Sequence, residues 1–341
     1  MTASILDYSR MEWPADWTAV FGRPAPLLLE LGFGRGDFLV QLARDNPGAN
    51  VLGVEISLPS LRRGAKKIAT AGLLNAQVLQ GDSRAVLWLL FQPQTISGIT
   101  INFPDPWPKS HHHHRRLISA DFLHLLAART VPGASLDIAT DHAEYAEVIE
   151  ELLVASPHFK SRVLPPYLPQ IDGRRPTKYE QIARQEGRSP RYFLWQRTNW
   201  PASNPFAVPE VKAMPHVVLE SEMSLDDIGR SFEPFHVEVA GLHIKYLNIY
   251  RALTTEALLA EVFISEEPYH QRVGLAIRQR RQGDYVIGMQ EIGFPRPTPG
   301  IHLAVGRLVA WLQNLDPHLR IVNSTLVETA GSDNSAGEEG T

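Results

Sequence analysis

Short apolar runs alternate with helix-like patterns through the first 200 residues, and this alternation constrains the fold more than any other feature. Strands are predicted over 27–31, 50–55, 76–80, 96–103 and 134–139. Helices are predicted over 36–46, 58–72, 83–91, 119–130 and 141–155. A βαβ rhythm with nearly all-apolar strands is typical of a parallel sheet that helices cover on both faces. We therefore expect an α/β, doubly wound, Rossmann-like domain.

Prolines interrupt this pattern after residue 200. We expect residues 1–200 to form the first domain, 201–215 a proline-rich linker, 216–327 a smaller α+β accessory domain and 328–341 a disordered polar tail. In the accessory domain, antiparallel strands are predicted over 240–252, 260–265, 273–278, 285–293 and 319–326, and a helix over 301–315. This second region holds no motif that points to a chemistry.

Charge is unevenly distributed along the chain. The formal net charge is −4, and residues 201–341 hold 11 Lys and Arg against 18 Asp and Glu, out of 33 and 37 in the whole chain. The first 200 residues are therefore net basic, which allows a positive surface there. The absence of cysteine excludes disulfides and thiol catalysis. Without a long apolar run or a secretory leader, a cytoplasmic protein that does not enter the membrane is expected.

A glycine-rich turn follows the first predicted strand and opens the first predicted helix. It contains three closely spaced glycines, Gly32, Gly34 and Gly36. Glycine lets the chain turn tightly and lets a ligand approach the backbone, and ligands of such sheets bind at the carboxyl ends of the strands. The spacing differs from that of dinucleotide-binding folds, so the turn is not expected to hold a pyrophosphate.

Acidic residues stand at or just after the ends of the first three strands. Glu55 can accept hydrogen bonds from both hydroxyls of a ribose, and Asp82 is placed for the exocyclic amine of an adenine. Glu30 adds negative charge that suits a sulfonium or an ammonium group. We expect these acids and the glycine turn to bind a cofactor. The alternative is a set of helix-capping acids on a related fold with another ligand.

The fourth strand ends in the segment NFPDPWPK, residues 102–109. Prolines on both sides of Asp105 stiffen the loop and remove backbone donors. The Asp105 carboxylate is therefore expected to be held at the strand end beside the cofactor, in a catalytic position. Trp107 offers a face on which a base or a ribose can stack. An ordinary proline-rich loop is the alternative interpretation.

Several of these segments together resemble the bacterial tRNA (guanine-N7)-methyltransferases. The resemblance rests on ELGFGRG at 30–36, GVE at 53–55, FPDPW at 103–107 with Lys109 and the arginine pair 115–116 behind it, and RPTKYE at 175–180. Thr140 and Asp141, followed by Tyr145, resemble a further family motif. The match extends over about residues 27–197 and leaves the C-terminal part uncovered.

This resemblance implies a Rossmann-like class I S-adenosylmethionine-dependent methyltransferase domain with tRNA as partner and guanosine 46 of the variable loop as target. It implies that Glu30, Glu55 and Asp82 bind S-adenosyl-L-methionine. It also implies that Asp105 lies between cofactor and substrate and is both catalytic and part of the cofactor site. The residues it implies for the target nucleotide are Lys109, Asp141, Thr177, Lys178, Tyr179 and Glu180. Further RNA contacts are expected at Trp107, Arg115 and Arg116.

The chain departs from the family pattern at His111–His114. His111 and His114 stand where the family usually has an arginine and a lysine, and neutral histidine contributes little to phosphate binding. A metal site is the alternative for four consecutive histidines, but no second ligand cluster is evident and we expect no metal. Basic side chains over 160–191, Arg188 among them, are candidates for a phosphate-binding rim.

Two other functions stay open at this point. A methyltransferase could act on another acceptor, although the residues implied for the nucleotide argue against this. A non-catalytic RNA-binding protein could retain the fold, although the acids after the first three strands argue against that. The sequence leaves a monomer and a homodimer equally open.

Overall fold

A computed structural model describes residues 5–172, 178–239, 241–290, 292 and 294–327. The chain divides into two compact units, Met1–Val208 and Pro209–Thr341. Within the described residues, no helix is both long enough and apolar enough to cross a membrane. The expected disordered tail at 328–341 lies outside the described residues.

The first unit is built on one sheet of mixed direction. Its described strands are β1 Ile5–Asp7, β2 Leu27–Leu31, β3 Asn50–Glu55, β4 Ala76–Gln80, β5 Ile96–Asn102, β6 Thr130–Thr140, β7 Phe159–Ser161 and β8 Arg191–Arg197. They lie in the order β1-β4-β3-β2-β5-β6-β8-β7. Strands β1 to β6 pair in parallel, and β8 pairs antiparallel with both β6 and β7. The order reverses between β2 and β5, which is where such sheets bind ligands.

Helices cover both faces of this sheet. The helices of the first unit are α1 Trp17–Phe21, α2 Asp37–Asp45, α3 Leu58–Thr70, α4 Ser83–Leu90, α5 Ala120–Arg129, α6 Ala143–Ala155 and α7 Lys178–Gln185. Successive strand residues enter different cores: Val51 joins the core with α2 and α3, whereas Leu52 joins the core with α4 and α5. This alternation explains why the strands are apolar throughout.

The strands and helices predicted between residues 27 and 155 are confirmed, with ends that differ by a few residues. The sequence-based prediction missed β1, α1, β7, α7 and β8. The short β1 carries too few residues for a pattern, and β8 mixes arginines with its buried aromatic residues, so its apolar character is diluted. Ser57 stands at the N-cap position of α3, and its side chain makes no capping hydrogen bond.

The second unit is an antiparallel sheet with one long helix. Its elements are β9 His216–Glu220, α8 Leu225–Arg230, β10 Phe235–Val239, β11 Leu242–Arg251, β12 Ala257–Glu266, β13 Tyr269–Gln279, β14 Tyr285–Gln290, α9 Pro299–Leu315 and β15 Arg320–Ser324. The described strands lie in the order β10-β11-β12-β13-β14-β9-β15. Helix α9 packs on this sheet, and the Tyr246 hydroxyl donates to the Ala304 carbonyl across their interface at 2.6 Å.

The α+β character of this region is confirmed, while β9, α8 and β10 were missed. The segment predicted as one strand from residue 240 is β11, and β10 forms a hairpin with it. Gly241 stands in the connecting turn with a φ of 82°, a conformation that favours glycine.

Residues 201–215 contain no described helix or strand, yet both halves pack against the unit next to them in sequence. The buried Arg129 side chain donates to the Asn204 side chain at 2.7 Å and to the Phe206 carbonyl at 3.2 Å. Burial lowers the pKa of Arg129 to about 10, which still leaves the side chain charged at neutral pH. On the other side, His302 of α9 hydrogen bonds to the Ala213 carbonyl at 2.9 Å.

Candidate active site

The turn after β2 requires its glycines. Gly32, Gly34 and Gly36 have φ values of 70°, 54° and 73°, in the left-handed region that other residues rarely adopt. A side chain on Gly36 would also meet the Gly64 backbone of α3 at 3.0 Å. The turn therefore packs closely against α3 and exposes backbone to the end of the sheet.

Glu55 connects this turn to the end of β3. One carboxylate oxygen accepts from the Gly34 amide at 2.9 Å, and the other accepts from the Ile56 and Ser57 amides at 2.8 and 2.9 Å. Amides on both oxygens hold the carboxylate in one orientation, half-buried at the sheet edge. Its remaining acceptor capacity is available to a ligand.

Asp82 caps the first turn of α4. One of its oxygens accepts from the Arg84 and Ala85 amides at 2.9 and 3.0 Å, while the residue as a whole is exposed. Asp82 is therefore an N-cap residue, as the helix-capping alternative expects. Capping uses one oxygen only, so it is compatible with a ligand at the other.

Glu30 is buried, with 1% of its surface exposed. Its carboxylate accepts from the Asn102 side-chain amide at 2.9 Å, which connects β2 to β5 at the point where the strand order reverses. Glu30 therefore lies beneath the cavity wall, and Asn102 is the member of this pair that lines the cavity. Asn102 belongs to the strongest motif of the sequence, but its role was not predicted because the pairing depends on the strand order.

The loop after β5 is held in an unusual backbone conformation. Phe103 and Trp107 have φ values of 52° and 43°, which for residues with bulky side chains costs on the order of 1–3 kcal/mol each. The Phe103 amide donates to the Ala139 carbonyl at 2.8 Å, and Arg116 donates to the Pro106 carbonyl at 2.8 Å. These bonds fix the loop from both ends, with Asp105 exposed between them.

The four histidines form a short 3-10 helix, Ser110–Arg115, directly behind this loop. Arg115 lies over the Trp107 ring at 4.9 Å, and the His112 ring is 5.8 Å from it. Trp107 is therefore partly covered by cationic and aromatic groups of its own loop. Among the described residues, no group of three or more metal-ligating side chains could hold a metal ion.

Arg116 is placed differently from the expectation for an RNA contact. It is 7% exposed, donates to Glu144 at 2.9 Å and lies over the Tyr145 ring at 5.0 Å. The hydrogen bond from Arg116 lowers the pKa of Glu144. With its guanidinium engaged by protein groups, Arg116 is better suited to holding the loop than to contacting RNA.

Asp141, just after β6, forms an ion pair with Arg188, which also pairs with Glu186. Both Asp141 and Arg188 line the cavity, and the Asp141 side chain is 14% exposed. The sequence analysis placed Arg188 only in the phosphate-binding rim. Its ion pair with Asp141, a residue predicted to bind the target nucleotide, was not predicted. Lys178 and Tyr179 open α7, Glu180 is buried within it, and Thr177 lies outside the described residues.

One cavity of about 650 Å³ brings most of these groups together. The predicted residues on its wall are Gly32, Gly34, Glu55, Asp82, Asp105, Trp107, Arg115 and Asp141. The sequence-based prediction missed Ile56, Ser57, Ser60, Asn102, Leu117 and Ile182. Of the predicted residues that the structure describes, Glu30, Gly36, Lys109, Arg116 and Glu180 are not part of this wall. Ile56 is 69% exposed beside Glu55, and an apolar residue next to a strand-end acid is a signal that could have identified it.

The chemistry of this wall fits a nucleoside with a cationic group. Glu55 and Asp82 supply acceptors for hydroxyl and amine donors, and Ile56 supplies an apolar face. The bare backbone at Gly32 and Gly34 allows close approach, while the acids would repel a phosphate. S-adenosylmethionine has the matching donors and a sulfonium.

Comparison with known proteins supports this interpretation. Residues 24–191 match a family described as putative methyltransferase. A tRNA (guanine-N(7)-)-methyltransferase of Burkholderia vietnamiensis is 43% identical over 166 residues, which are 49% of this chain and 65% of that protein. The enzyme of the same name from Mycolicibacterium paratuberculosis is 37% identical over 188 residues, 54% of this chain and 71% of that protein. This chain thus spans just under two thirds of the Burkholderia relative.

Solved structures are similar at a lower level. The antibiotic-resistance methyltransferase Kmr aligns with a TM-score of 0.38 and 21% identity over 55% of this chain and 93% of its own. The 16S rRNA methyltransferase KamB aligns with a TM-score of 0.41 and 19% identity over 53% of this chain and 92% of its own.

The fold and the cavity define a Rossmann-like class I methyltransferase whose cofactor is S-adenosyl-L-methionine. Within that class, the chain belongs to the bacterial tRNA (guanine-N7)-methyltransferase family.

Proposed function

We propose that this protein transfers a methyl group from S-adenosylmethionine to N7 of a guanine in tRNA, at guanosine 46 of the variable loop. The observation that carries the proposal is a single cavity lined both by Glu55 and Asp82 and by Asp105, Trp107 and Asp141. A cofactor held by the first pair would face an acceptor held by the other three. Relatives named for guanine-N7 methylation of tRNA support this acceptor.

In this proposal the residues at the ends of β3 and β4 hold the cofactor, which supplies the methyl group on its sulfonium. Glu55, already oriented by three amides, accepts from the ribose hydroxyls. Asp82 accepts from the adenine amine with the oxygen that does not cap α4. Glu30 acts through Asn102, whose amide it orients at the cavity wall.

Guanine N7 is an sp² nitrogen with a free lone pair, so no proton has to leave before it attacks a methyl carbon. The enzyme therefore needs orientation more than a general base. Asp105, held in its loop by Arg116 and the two prolines, orients the base. Its carboxylate would also stabilise the positive charge that the purine gains as the N–C bond forms and the methyl–sulfur bond breaks, with neutral S-adenosylhomocysteine as the leaving group.

Guanine is distinguished from adenine by its N1–H and N2–H₂ donors. Asp141 lies on the cavity wall and is proposed to accept from them, with the buried Glu180 supporting the same site. Thr177, Lys178, Tyr179 and Lys109 are proposed to hold the rest of the nucleotide. Trp107 stacks on the base or ribose once the nucleotide is partly extruded from the tRNA core.

The proposal is tested by incubating unmodified tRNA with labelled cofactor and cleaving the product chemically at N7-methylguanosine. Label incorporation with cleavage at position 46 is the expected result. If label is incorporated but the tRNA is cleaved at another guanine, the assignment to position 46 is wrong and the reaction itself still stands. Absence of N7-methylguanosine, with the enzyme shown by calorimetry to bind cofactor, would overturn the reaction.

A further inference from the structure

The second unit presents a sheet face on the side opposite α9, here called the outer face. Residues such as Ile244, Val262 and Val273 are buried towards α9. Side chains alternate along a strand, so their neighbours in sequence point the other way. On β11, β12 and β13 those neighbours include Lys245, Phe263 and Arg272.

Strand register places these three side chains in one row. Lys245 pairs with Phe263, and Phe263 pairs with Arg272. His236 of β10 extends the row, because it pairs with Lys245. Adjacent strands lie about 4.8 Å apart, so the two cations flank the aromatic ring at a separation of about 10 Å. The row thus reads histidine, lysine, phenylalanine and arginine across four strands.

A second row of polar residues lies next to the first. His243 pairs with Ser265, which in turn pairs with His270, and the His270 ring lies 6.4 Å from that of Phe263 in a stacked orientation. Lys245 and His270 are exposed, and Arg272 keeps 64% of its side-chain surface accessible despite an ion pair. Phe263 is partly exposed between them.

Two acids on this face, Glu261 and Glu238, are engaged by neighbouring side chains. Glu261 pairs with Arg272 and accepts from Tyr250 at 2.9 Å and from Asn248 at 3.2 Å. Glu238 pairs with His243 at 3.0 Å. The C-terminal part of the chain is acidic as a whole, with 11 basic against 18 acidic residues after residue 200. On this face, Lys245 and Arg272 offset the charges of Glu238 and Glu261.

We propose that the outer face binds RNA, with Phe263 stacking on an unpaired base and Lys245 and Arg272 contacting phosphates. A sheet that presents an aromatic ring between cations can stack a base and neutralise the backbone beside it. The inference rests on the proposed tRNA substrate, and it assigns the second unit a part in holding that substrate.

The test uses the full chain and an unmodified tRNA transcript. Lys245→Glu/Arg272→Glu is compared with Arg230→Glu/Arg320→Glu, which changes the charge equally at exposed sites of α8 and β15. The first double variant should bind tRNA at least about tenfold more weakly than the control and show a shallower salt dependence. Its kcat at saturating tRNA should match that of the wild type.

Phe263→Leu is the second variant, because leucine keeps an apolar side chain in the sheet and removes the stacking face. We expect several-fold weaker tRNA binding with an unchanged melting temperature. If both test variants bind tRNA as the control does, the outer face is not an RNA surface. A wild-type protein that binds tRNA but does not methylate it would overturn the proposed reaction and leave this inference standing. A wild type that binds no tRNA would overturn both.

Discussion

Asp105 is exposed between two residues whose own backbones are strained. Phe103 and Trp107 have left-handed φ values in a loop that is held by the hydrogen bond from Phe103 to Ala139 and by the one from Arg116 to Pro106. Such strain is consistent with a loop built to place one side chain. A carboxylate placed this way can orient a base and balance its charge without removing a proton.

Asp105→Ala should therefore reduce the single-turnover rate of methyl transfer by at least about 100-fold, the magnitude found when one electrostatic group is removed from a transition state. Cofactor affinity should change little, because Glu55 and Asp82 lie on other strand ends. Calorimetry with cofactor and rapid-quench assays with tRNA measure the two effects. Turnover like that of the wild type would refute the role of Asp105.

Arg188 gives a second prediction at this scale. Its ion pair holds Asp141, the proposed acceptor for guanine, at the cavity wall. Arg188→Ala should raise KM for tRNA by about three- to tenfold and leave cofactor affinity unchanged, because Asp141 loses its orientation. Arg63→Ala on α3 is the matched control, since it removes one exposed cation elsewhere in the same unit. A double-mutant cycle with Asp141→Asn checks the coupling, and additive effects would contradict it.

At the scale of elements, the sequence predicted the strands of the central sheet well, but it did not predict the buried side-chain contacts that hold the site. Strand ends follow from apolar runs, so the strand-end positions of Glu55, Asp82 and Asp105 could be predicted from the sequence. The burial of Glu30 and Arg116 could not, because it depends on Asn102 and Glu144, which are distant along the chain. From the sequence alone, Arg116 is expected to be exposed, because it is a basic residue beside a predicted RNA-binding motif and its partner Glu144 cannot be identified.

Helix α9 gives a prediction on pH. His302 lies buried in it, donates through Nε2 to the Ala213 carbonyl and accepts at Nδ1 from the Val327 amide at 3.2 Å. This assignment needs the neutral ring, and burial lowers the pKa of His302. The unfolded chain therefore takes up the proton first as pH falls. The stability that depends on the neutral ring is complete above the ordinary value of about 6.5 and is lost below it.

Hydrogen exchange of α9, corrected for intrinsic rates, should thus show less protection at about pH 5.5 than at about pH 7.5. His302→Gln can make both hydrogen bonds without titrating, so its protection should change less between the two conditions. Equal pH dependence in the two proteins would show that other groups govern the stability of this helix.

At the scale of the whole molecule, chemistry and charge are unevenly distributed. The described residues of the cavity wall lie between Leu31 and Arg188, within the part of the chain, residues 24–191, that matches the methyltransferase family. The second unit has its own core around Ile264, Leu275 and Leu308. Under the proposed function, we expect the second unit to affect how tRNA is held rather than how the methyl group moves.

Removing residues 209–341 should accordingly leave cofactor affinity and kcat near their full-chain values, provided that the first unit, with a core of its own, folds alone. KM for tRNA should rise by about tenfold, because the Lys245, Phe263 and Arg272 row is lost with its phosphate contacts. Circular dichroism and cofactor calorimetry establish that the shortened chain is folded before kinetics are compared. If its KM equals that of the full chain at low and high salt, the second unit has no part in binding tRNA. The Lys245→Glu/Arg272→Glu variant of the full chain should then also behave as wild type.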